Sequence, residues 1–439
     1  MEMSSSAGDE SVVQDEKQLP SFLDVAFLQR ILEENLTEQE DPVRVDGFTG
    51  SVATRPGDNY SSDVFNILVR YNDRKQIKLV VKIVADDKTI ISFGASLNVF
   101  GKEVHTFRHL FPIFSRIVSG ADGTSAVRFG ARCFYATREP RDTIVFEDLK
   151  ALGYRMPDRT RGGLDFAHCE LIMRKIGLFH AASMVYVARG PTERQLFAER
   201  YSHTMIRPGD SERNNPVLVM FGSGIDKFLE VSVDWPELDP AIRQKLQALK
   251  PDYVRRLAKS LQAEDADESL CYRVLNHGDL WINNMMFRYE DEADETTVQE
   301  VMFVDYQLSS YSSPGIDLVY SIYNCPRLEV RENRNEELLQ IYHRSLCEGL
   351  RTGGYRLTVP AFADVQTEFA RHEFIGLVSG LSMLPIILME RTDEVKLTFE
   401  NMVGAEDSDK IRTIQYRGKK YRQSVIPLLN RLYAKGLLD

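Results

Sequence analysis

The most informative part of this sequence is Asn-His-Gly-Asp-Leu-Trp-Ile-Asn-Asn, at residues 276–284. Apolar residues typical of strands lie on both sides of it, so we expect a short loop between two strands. This loop carries the carboxylate of Asp279 and, after four intervening residues, the amide of Asn284. Further along, the apolar strand 301–304 ends at a second carboxylate, Asp305. We therefore expect these three side chains to lie together beside one loop.

Carboxylate and amide oxygens suit Mg²⁺ that carries a nucleoside triphosphate, whereas zinc prefers nitrogen and sulfur ligands. Phosphoryl transfer requires a protein to position the reactants, to neutralise charge and to accept the proton of the attacking hydroxyl. Asp279 is the candidate acceptor of that proton, and Asn284 and Asp305 are candidate metal ligands. The alternative is that His277 and Asp279 cap a turn while Asn284 begins a strand. The spacing of Asn284 and the position of Asp305 favour the catalytic interpretation.

A second candidate lies in the N-terminal part of the chain. The strand-like segment 80–84 is apolar except for Lys82, which shares a face with Val80 and Val84. An ammonium group on such a face needs an anionic partner, and the α- and β-phosphates of ATP provide one. The alternative is a lysine at the edge of a sheet whose ammonium group reaches solvent. Together with Asp305, Lys82 is a candidate nucleotide-binding residue.

Residues 277–284 and Val304-Asp305-Tyr306-Gln307 closely resemble the catalytic and metal-binding motifs of the ecdysteroid kinase-like proteins. These proteins are relatives of choline kinases and aminoglycoside phosphotransferases within the protein-kinase-like superfamily. The resemblance extends from about residue 24 to the C-terminus and is most specific at the two motifs. It implies an α+β fold of two lobes, with a small sheet-plus-helix lobe and a larger, mainly helical one. It also implies ATP- and Mg²⁺-dependent phosphorylation of a small-molecule alcohol, with ecdysteroid hormones as the named substrate.

The same resemblance assigns further residues to the nucleotide. Residues 100–107 resemble the family's helix in which a glutamate, here Glu103, pairs with the strand lysine. Residues 57–62 resemble the family's Gly-Glu-Asn-Tyr-Ala-Ser turn, whose backbone N–H groups would cover the phosphates. Without the resemblance, Glu103 could be an exposed helix charge and residues 57–62 an ordinary turn. Residues 147–149 stand where the hinge between the lobes would meet adenine through main-chain atoms. The candidate nucleotide-binding residues are Lys82, Glu103, Gly57, Asn59, Ser61, Glu147 and Leu149.

The order of strand-like and helix-like segments divides the chain into unequal parts. The predicted units are an acidic tail at 1–23, a nucleotide-binding lobe at 24–147 and a catalytic, acceptor-binding lobe at 148–439. The polar tail has no apolar run, so we do not expect a signal peptide. In the larger lobe, we expect Asp317 to buttress the catalytic loop and His180 to pack within a helix. The segment 189–235 has no recognisable pattern and is a candidate part of the acceptor pocket.

Composition argues against several kinds of partner. Lys and Arg total 54 against 65 for Asp and Glu, which gives a net charge of −11. A surface of that sign disfavours nonspecific binding to nucleic acid or anionic membranes, and we predict neither partner. The longest apolar run, residues 374–389, would extend only about 24 Å as a helix, less than the ~30 Å core of a bilayer. The 5 cysteines are scattered and suit a reducing, cytoplasmic location.

Rival classes differ from this interpretation in specific residues. A protein kinase is disfavoured because the sequence has no His-Arg-Asp, no Ala-Pro-Glu and little room for an activation segment between Asp305 and Asp317. A P-loop NTPase is excluded because the sequence contains no Gly-x₄-Gly-Lys-Ser/Thr motif. A kinase-like protein without activity is the main alternative, although Asp279, Asn284 and Lys82 are all present. A choline- or ethanolamine-type kinase would need acids and aromatic faces around a cation.

Overall fold

The computed structural model describes the greater part of the chain. The described residues are 18–37, 41–53, 62–119, 127–158, 161–207, 209–261, 271–291, 294–389 and 408–439, with the side chains of 89, 90, 294–296 and 408 excepted. Gly57, Asn59 and Ser61, which we predict to cover the phosphates, lie outside these residues, as does most of the predicted acidic tail. Their roles stay predictions.

An antiparallel sheet forms the N-terminal part of the structure. Its strands are β1 (Val45–Val52), β2 (Ser62–Tyr71), β3 (Lys75–Val84), β4 (Cys133–Thr137) and β5 (Thr143–Glu147). They lie in the order β1-β2-β3-β5-β4, so β3 is central and pairs with both β2 and β5. Helix α1 (Val25–Asn35) packs on one face of this sheet.

Strand β3 alternates between two environments, as an extended strand turns successive side chains to opposite faces. Leu79, Val81 and Ile83 are fully buried in a small core that the sheet shares with α1. Val80, on the opposite face, packs against a second and larger core. Lys82 lies on the same face as Val80. The alternation therefore directs Lys82 into the space between the sheet and the larger core.

A nearly continuous helical segment lies between β3 and β4 in the chain. It comprises α2 (Lys88–Ser96), α3 (Val99–His105), a π-helical turn (Thr106–Leu110) and α4 (Phe111–Val118). Phe107, Phe111 and Phe114 are buried in the larger core together with residues of the C-terminal part. The helix that carries Glu103 is therefore packed against both parts of the molecule.

The C-terminal part is mainly helical. Its first helices are α5 (Phe166–Val187), α6 (Pro191–Arg200), α7 (Pro216–Val231) and α8 (Pro240–Leu261). Two short ladders follow, one of β6 (Val274–Asn276) with β9 (Ser310–Ser312) and one of β7 (Met285–Asp291) with β8 (Asp294–Phe303). The later helices are α9 (Gly315–Asn324), α10 (Leu328–Asn333), α11 (Asn335–Thr352), α12 (Phe362–His372), α13 (Phe374–Val378), α14 (Leu384–Ile387), α15 (Ser408–Arg417) and α16 (Lys419–Ala434).

This arrangement confirms the predicted fold class, an α+β architecture of a small antiparallel sheet with a helix and a larger helical part. Within the residues that the structure describes, every helix is too short or too polar to cross a bilayer. The apolar run 374–389 forms α13, a π-helical turn at Ser379–Met383 and α14, and its core-facing residues are buried.

Candidate active site

Lys82 lies between two carboxylates that come from distant parts of the chain. Its Nζ donates to both oxygens of Glu103, at 2.9 and 2.8 Å, and to Oδ1 of Asp305 at 2.6 Å. The three side chains are 11%, 4% and 19% exposed, so water competes little for these bonds. The structure thus brings together a residue of β3, a residue of α3 and the residue that follows the apolar strand β8.

Burial and neighbouring charges act in opposite directions on this cluster. Burial alone would lower the pKa of Lys82, but the charges of Asp305 and Glu103 together raise it above its ordinary value. Lys82 therefore stays an ammonium group. Burial raises the pKa of Glu103 to about 7, because the attraction of Lys82 only partly offsets it and Asp305 adds repulsion. The cluster carries more negative than positive charge.

Asp305 occupies an unusual backbone conformation. Its φ is 66°, in the left-handed region that residues other than glycine rarely adopt. The residue lies just beyond the end of β8 and directly before the 3₁₀ turn Tyr306–Leu308. Such a conformation costs roughly 1 kcal/mol and persists where surrounding contacts hold it. Here the ion pair with Lys82 is one such contact.

Asp279 accepts hydrogen bonds from several side chains. Nδ2 of Asn284 donates to Oδ2 of Asp279 at 2.9 Å and to its carbonyl oxygen at 3.0 Å. The side chains of Tyr320 and Trp281 also hydrogen-bond to this carboxylate. Burial, followed by repulsion from Asp305, nevertheless raises the pKa of Asp279 to about 7. Because the amide nitrogen of Asn284 faces Asp279, the amide oxygen points away from it and is placed to bind a cation.

The backbone of the loop 276–284 is held by Asp317, in the first turn of α9. Its carboxylate accepts from the N–H of His277 at 2.6 Å and from the N–H of Gly278 at 2.9 Å. Nε2 of His180 lies 3.2 Å from Asp317, and its Nδ1 lies 2.9 Å from the hydroxyl of Tyr342. Both contacts agree with the expectations that Asp317 supports the loop and that His180 is a packed helix residue.

Comparison with known proteins agrees with this geometry. The profile of the ecdysteroid kinase-like family matches residues 56–355, which is more than half of the chain. The chain belongs to the ecdysteroid kinase-like family. Among solved structures, it is similar to the macrolide 2′-phosphotransferase MphH of Brachybacterium faecium, in its apoenzyme form. That similarity has 13% identity and a TM-score of 0.32 over 81% of this chain and 92% of the other. A comparison with curated proteins gave no match.

In this ecdysteroid kinase-like protein, the side chains of the predicted hinge residues Glu147 and Leu149 make contacts within the protein. The carboxylate of Glu147 accepts from the guanidinium of Arg128 and from the backbone N–H of Arg132. Its side chain is therefore engaged within the protein. Leu149 is 4% exposed and belongs to the larger core. Any contact of residues 147–149 with a nucleotide would come from the main chain.

The donor set of this family member fits a magnesium ion. Within the described residues, His, Cys, Asp and Glu form no group of three that could hold a metal by themselves. Asp305, Asp279 and Asn284 instead offer two carboxylates and an amide, and Mg²⁺ is commonly held by one or two carboxylates with waters and substrate phosphates. The excess negative charge beside Lys82 and the raised pKa of Asp279 are what a bound cation would offset.

Sequence reasoning missed the part that Tyr320 plays. Tyr320 is 7% exposed, lies on α9 and hydrogen-bonds to Asp279. Residues three apart on a helix share a face, so Asp317 and Tyr320 approach the catalytic loop together. The sequence Asp-Leu-Val-Tyr at 317–320 contains this spacing. The spacing by itself does not predict this role for Tyr320, which depends on the packing of α9 against the loop 276–284.

Proposed function

We propose that this protein transfers the γ-phosphate of ATP to a hydroxyl group of a small-molecule alcohol, such as an ecdysteroid or related sterol. The observation that carries the proposal is the convergence of Lys82, Glu103 and Asp305 beside a loop that presents Asp279 and Asn284. Membership of the ecdysteroid kinase-like family supports the acceptor class. A supporting observation for a cytoplasmic location is that all five cysteines are free thiols.

The side chains divide the work of phosphoryl transfer among them. Lys82, held by Glu103, presents a fixed positive charge to the phosphates. Asp279 receives the proton of the acceptor hydroxyl and acts as the general base. Asn284 fixes the orientation of that carboxylate through its amide nitrogen. Asn284 and Asp305 would hold Mg²⁺, which neutralises phosphate charge when it is bound.

The direct test is ATP consumption over a panel of sterols, amino alcohols and aminoglycosides, with mass detection of the phosphorylated product. We expect turnover with a sterol alcohol and a product heavier by one phosphate group. Turnover with choline or ethanolamine alone would replace the proposed acceptor with an amino alcohol. No phosphorylated product with any acceptor, in a protein whose melting temperature rises with Mg·ATP, would identify a nucleotide-binding protein without activity.

Asp279→Asn and Asp305→Asn test the two carboxylates separately. Loss of the general base should lower kcat at least about 100-fold, and replacement of the negatively charged metal-binding carboxylate by a neutral amide should abolish transfer. Both variants should keep the wild-type circular dichroism spectrum. Asp226→Asn is the control, because Asp226 pairs with Lys250 on the surface, where both are 53% exposed. Full activity of Asp305→Asn would refute its metal role.

A further inference from the structure

The helix that carries Glu103 is anchored by residues of the C-terminal part. Tyr201, which follows α6, is fully buried, and its hydroxyl lies 2.9 Å from Nδ1 of His105 and 2.9 Å from Oγ1 of Thr106. These contacts lie two and three residues beyond Glu103 along the same helix. Tyr201 therefore contacts the helix within one turn of the glutamate that orients Lys82.

A second contact joins the same segments. Nζ of Lys102 donates to the carbonyl oxygen of His203 at 2.8 Å, and the Lys102 side chain is buried. Lys102 directly precedes Glu103, so the glutamate is held on both sides along the helix. Burial lowers the pKa of Lys102 to about 8, which leaves most of the ammonium protonated at neutral pH. Burying an ammonium group without a hydrogen-bond acceptor costs roughly several kcal/mol. The bond to His203 therefore favours the placement of the helix in which Lys102 reaches this carbonyl oxygen.

The backbone of Tyr201 hydrogen-bonds to β9, one of the two short strands beside the loop that carries Asp279. The N–H of Tyr311 donates to the carbonyl oxygen of Tyr201 at 2.8 Å. Tyr311 lies in β9, which pairs with β6, the strand that leads directly into the catalytic loop. One chain of hydrogen bonds thus runs from the loop of Asp279, through β6 and β9, to Tyr201 and then to the helix of Glu103.

The helix departs from regular α-helical geometry where the hydroxyl of Tyr201 contacts it. Thr106 begins the π-helical turn Thr106–Leu110, which interrupts the regular α-helix between α3 and α4. Single π-helical turns of this kind widen a helix by one residue and are frequent at functional sites. The aromatic residues that follow, Phe107 and Phe111, pack on Tyr306 next to Asp305. The π-helical turn therefore lies between the contact with Tyr201 and the contacts with Tyr306, the residue next to Asp305.

We propose that Tyr201 is a positioning residue, whose hydroxyl holds the helix of Glu103 so that the Glu103–Lys82 pair is assembled before the nucleotide binds. Its relevance to catalysis rests on the proposed function, since kinase-fold enzymes require this lysine–glutamate pair in place for transfer. Tyr201 itself does not touch the reacting atoms.

Hydrogen exchange of the nucleotide-free protein tests the anchor without reference to activity. Tyr201→Phe removes only the hydroxyl and keeps the ring and the backbone bond to Tyr311. We expect amide exchange over residues 99–106 to become at least about fivefold faster, as the loss of the buried hydrogen bonds of this hydroxyl predicts. Tyr421→Phe is the matched control, because Tyr421 is also fully buried and its hydroxyl, in α16, donates to the carbonyl oxygen of Gly380 at 3.0 Å. Equal exchange of this segment in both variants would overturn the proposal.

Kinetics then test the link to Glu103. Tyr201→Phe should lower kcat/KM for ATP about fivefold to tenfold, while Tyr421→Phe should leave it unchanged. In a Glu103→Gln background, Tyr201→Phe should cause little further loss, because both changes disrupt the same pair. Full additivity of the two losses would overturn the coupling. A wild-type protein that transfers phosphate to no acceptor would refute the proposed function instead, and the exchange comparison would still decide the role of Tyr201.

Discussion

Lys82 is stabilised as a cation by two carboxylates that would otherwise repel each other. Glu103 binds it with both oxygens, and Asp305 binds it with one. A charge in so little contact with water depends on its partners, because removing one partner of a buried pair leaves the other uncompensated. Lys82, the residue that we propose to bind the phosphates, therefore also stabilises the folded arrangement of Glu103 and Asp305.

Lys82→Met should both impair ATP use and destabilise the protein. The loss of the ammonium leaves the buried carboxyl groups of Glu103 and Asp305 without their cation, at a cost of about 3 kcal/mol. The double variant Lys82→Met/Glu103→Gln should be more stable than Lys82→Met alone, because it removes one of the two carboxyl groups that must lose either its charge or its partner. Urea unfolding with a far-UV signal measures both differences. A double variant that is less stable than the single one would contradict this account.

Tyr320→Phe tests whether the orientation of Asp279 matters for turnover. The phenol is a donor to the carboxylate of Asp279, the proposed general base, so its removal should lower kcat about tenfold and leave the KM for ATP unchanged. Tyr323→Phe is the matched control, because Tyr323 is a buried tyrosine of the same helix that donates to Glu373 at 2.6 Å. Equal losses of kcat in the two variants would show that α9, and not the contact with Asp279, is responsible.

At the scale of elements, α9 and β6 position the loop 276–284, for which we propose a catalytic role. The loop reverses direction at Gly278, whose φ is 84° and where an added Cβ would collide with the carbonyl oxygen of Leu308. Asp317, in the first turn of α9, accepts both N–H groups of the residues at that reversal. Gly278 allows the loop backbone to approach Leu308 closely, and Asp317 of α9 holds this conformation through its hydrogen bonds.

Gly278→Ala should therefore be far more destabilising than its backbone angle alone predicts. Gly209→Ala is the matched control, because Gly209 has the same φ of 84° but no atom within 4 Å of its added Cβ. We expect Gly278→Ala to lose at least about 2 kcal/mol more than Gly209→Ala in the free energy of unfolding. Equal losses in urea unfolding would show that the contact with Leu308 relaxes without cost.

The elements of this protein differ in how far local sequence predicts them. The strand-like segment predicted at 80–84 lies within β3, and the strand predicted at 301–304 appears as the end of β8, one residue shorter. Their patterns depend on neighbours only a few residues away. The π-helical turn Thr106–Leu110 had no such signal, because nothing in its composition distinguishes it from an α-helix. It is explained by long-range contacts with Tyr201 and Tyr306.

At the scale of the whole molecule, two cores of unequal size meet at the candidate site. The smaller core lies between α1 and one face of the sheet, and the larger core includes most of the remaining helices. Buried ionisable groups lie along the larger core, among them His180 and His277, both fully buried. Burial lowers the pKa of each of these histidines, so both are neutral in the folded protein at pH 7.

These histidines make stability depend on pH with a defined sign. In the unfolded chain a histidine binds a proton below about pH 6.5, whereas folded His180 does not, so its contribution is present above that pH and lost on acidification. Asp279 and Glu103, with raised pKa values of about 7, act in the opposite direction. The contribution of His180 must therefore be isolated by comparison with a variant that lacks it.

We expect the stability difference between wild type and His180→Gln to shrink as pH falls from 7.5 to 5.5. The change should reach up to about 1.4 kcal/mol, since only the wild type must exclude a proton from this position in order to fold. Urea unfolding at both pH values measures it. A difference that is constant or grows on acidification would show that folded His180 accepts the proton.

Short-range pattern was sufficient for the fold class, because strand alternation is a property of neighbouring residues, and the spacing of Asp279 and Asn284 predicted a catalytic role for their loop. It also supplied candidates for the lysine and the second carboxylate. Packing alone brought Lys82 to Asp305, 223 positions away, and placed Tyr201 and Tyr320 against the helix and loop that they hold. Such contacts depend on how whole elements dock, and a linear sequence does not encode that docking at any one position.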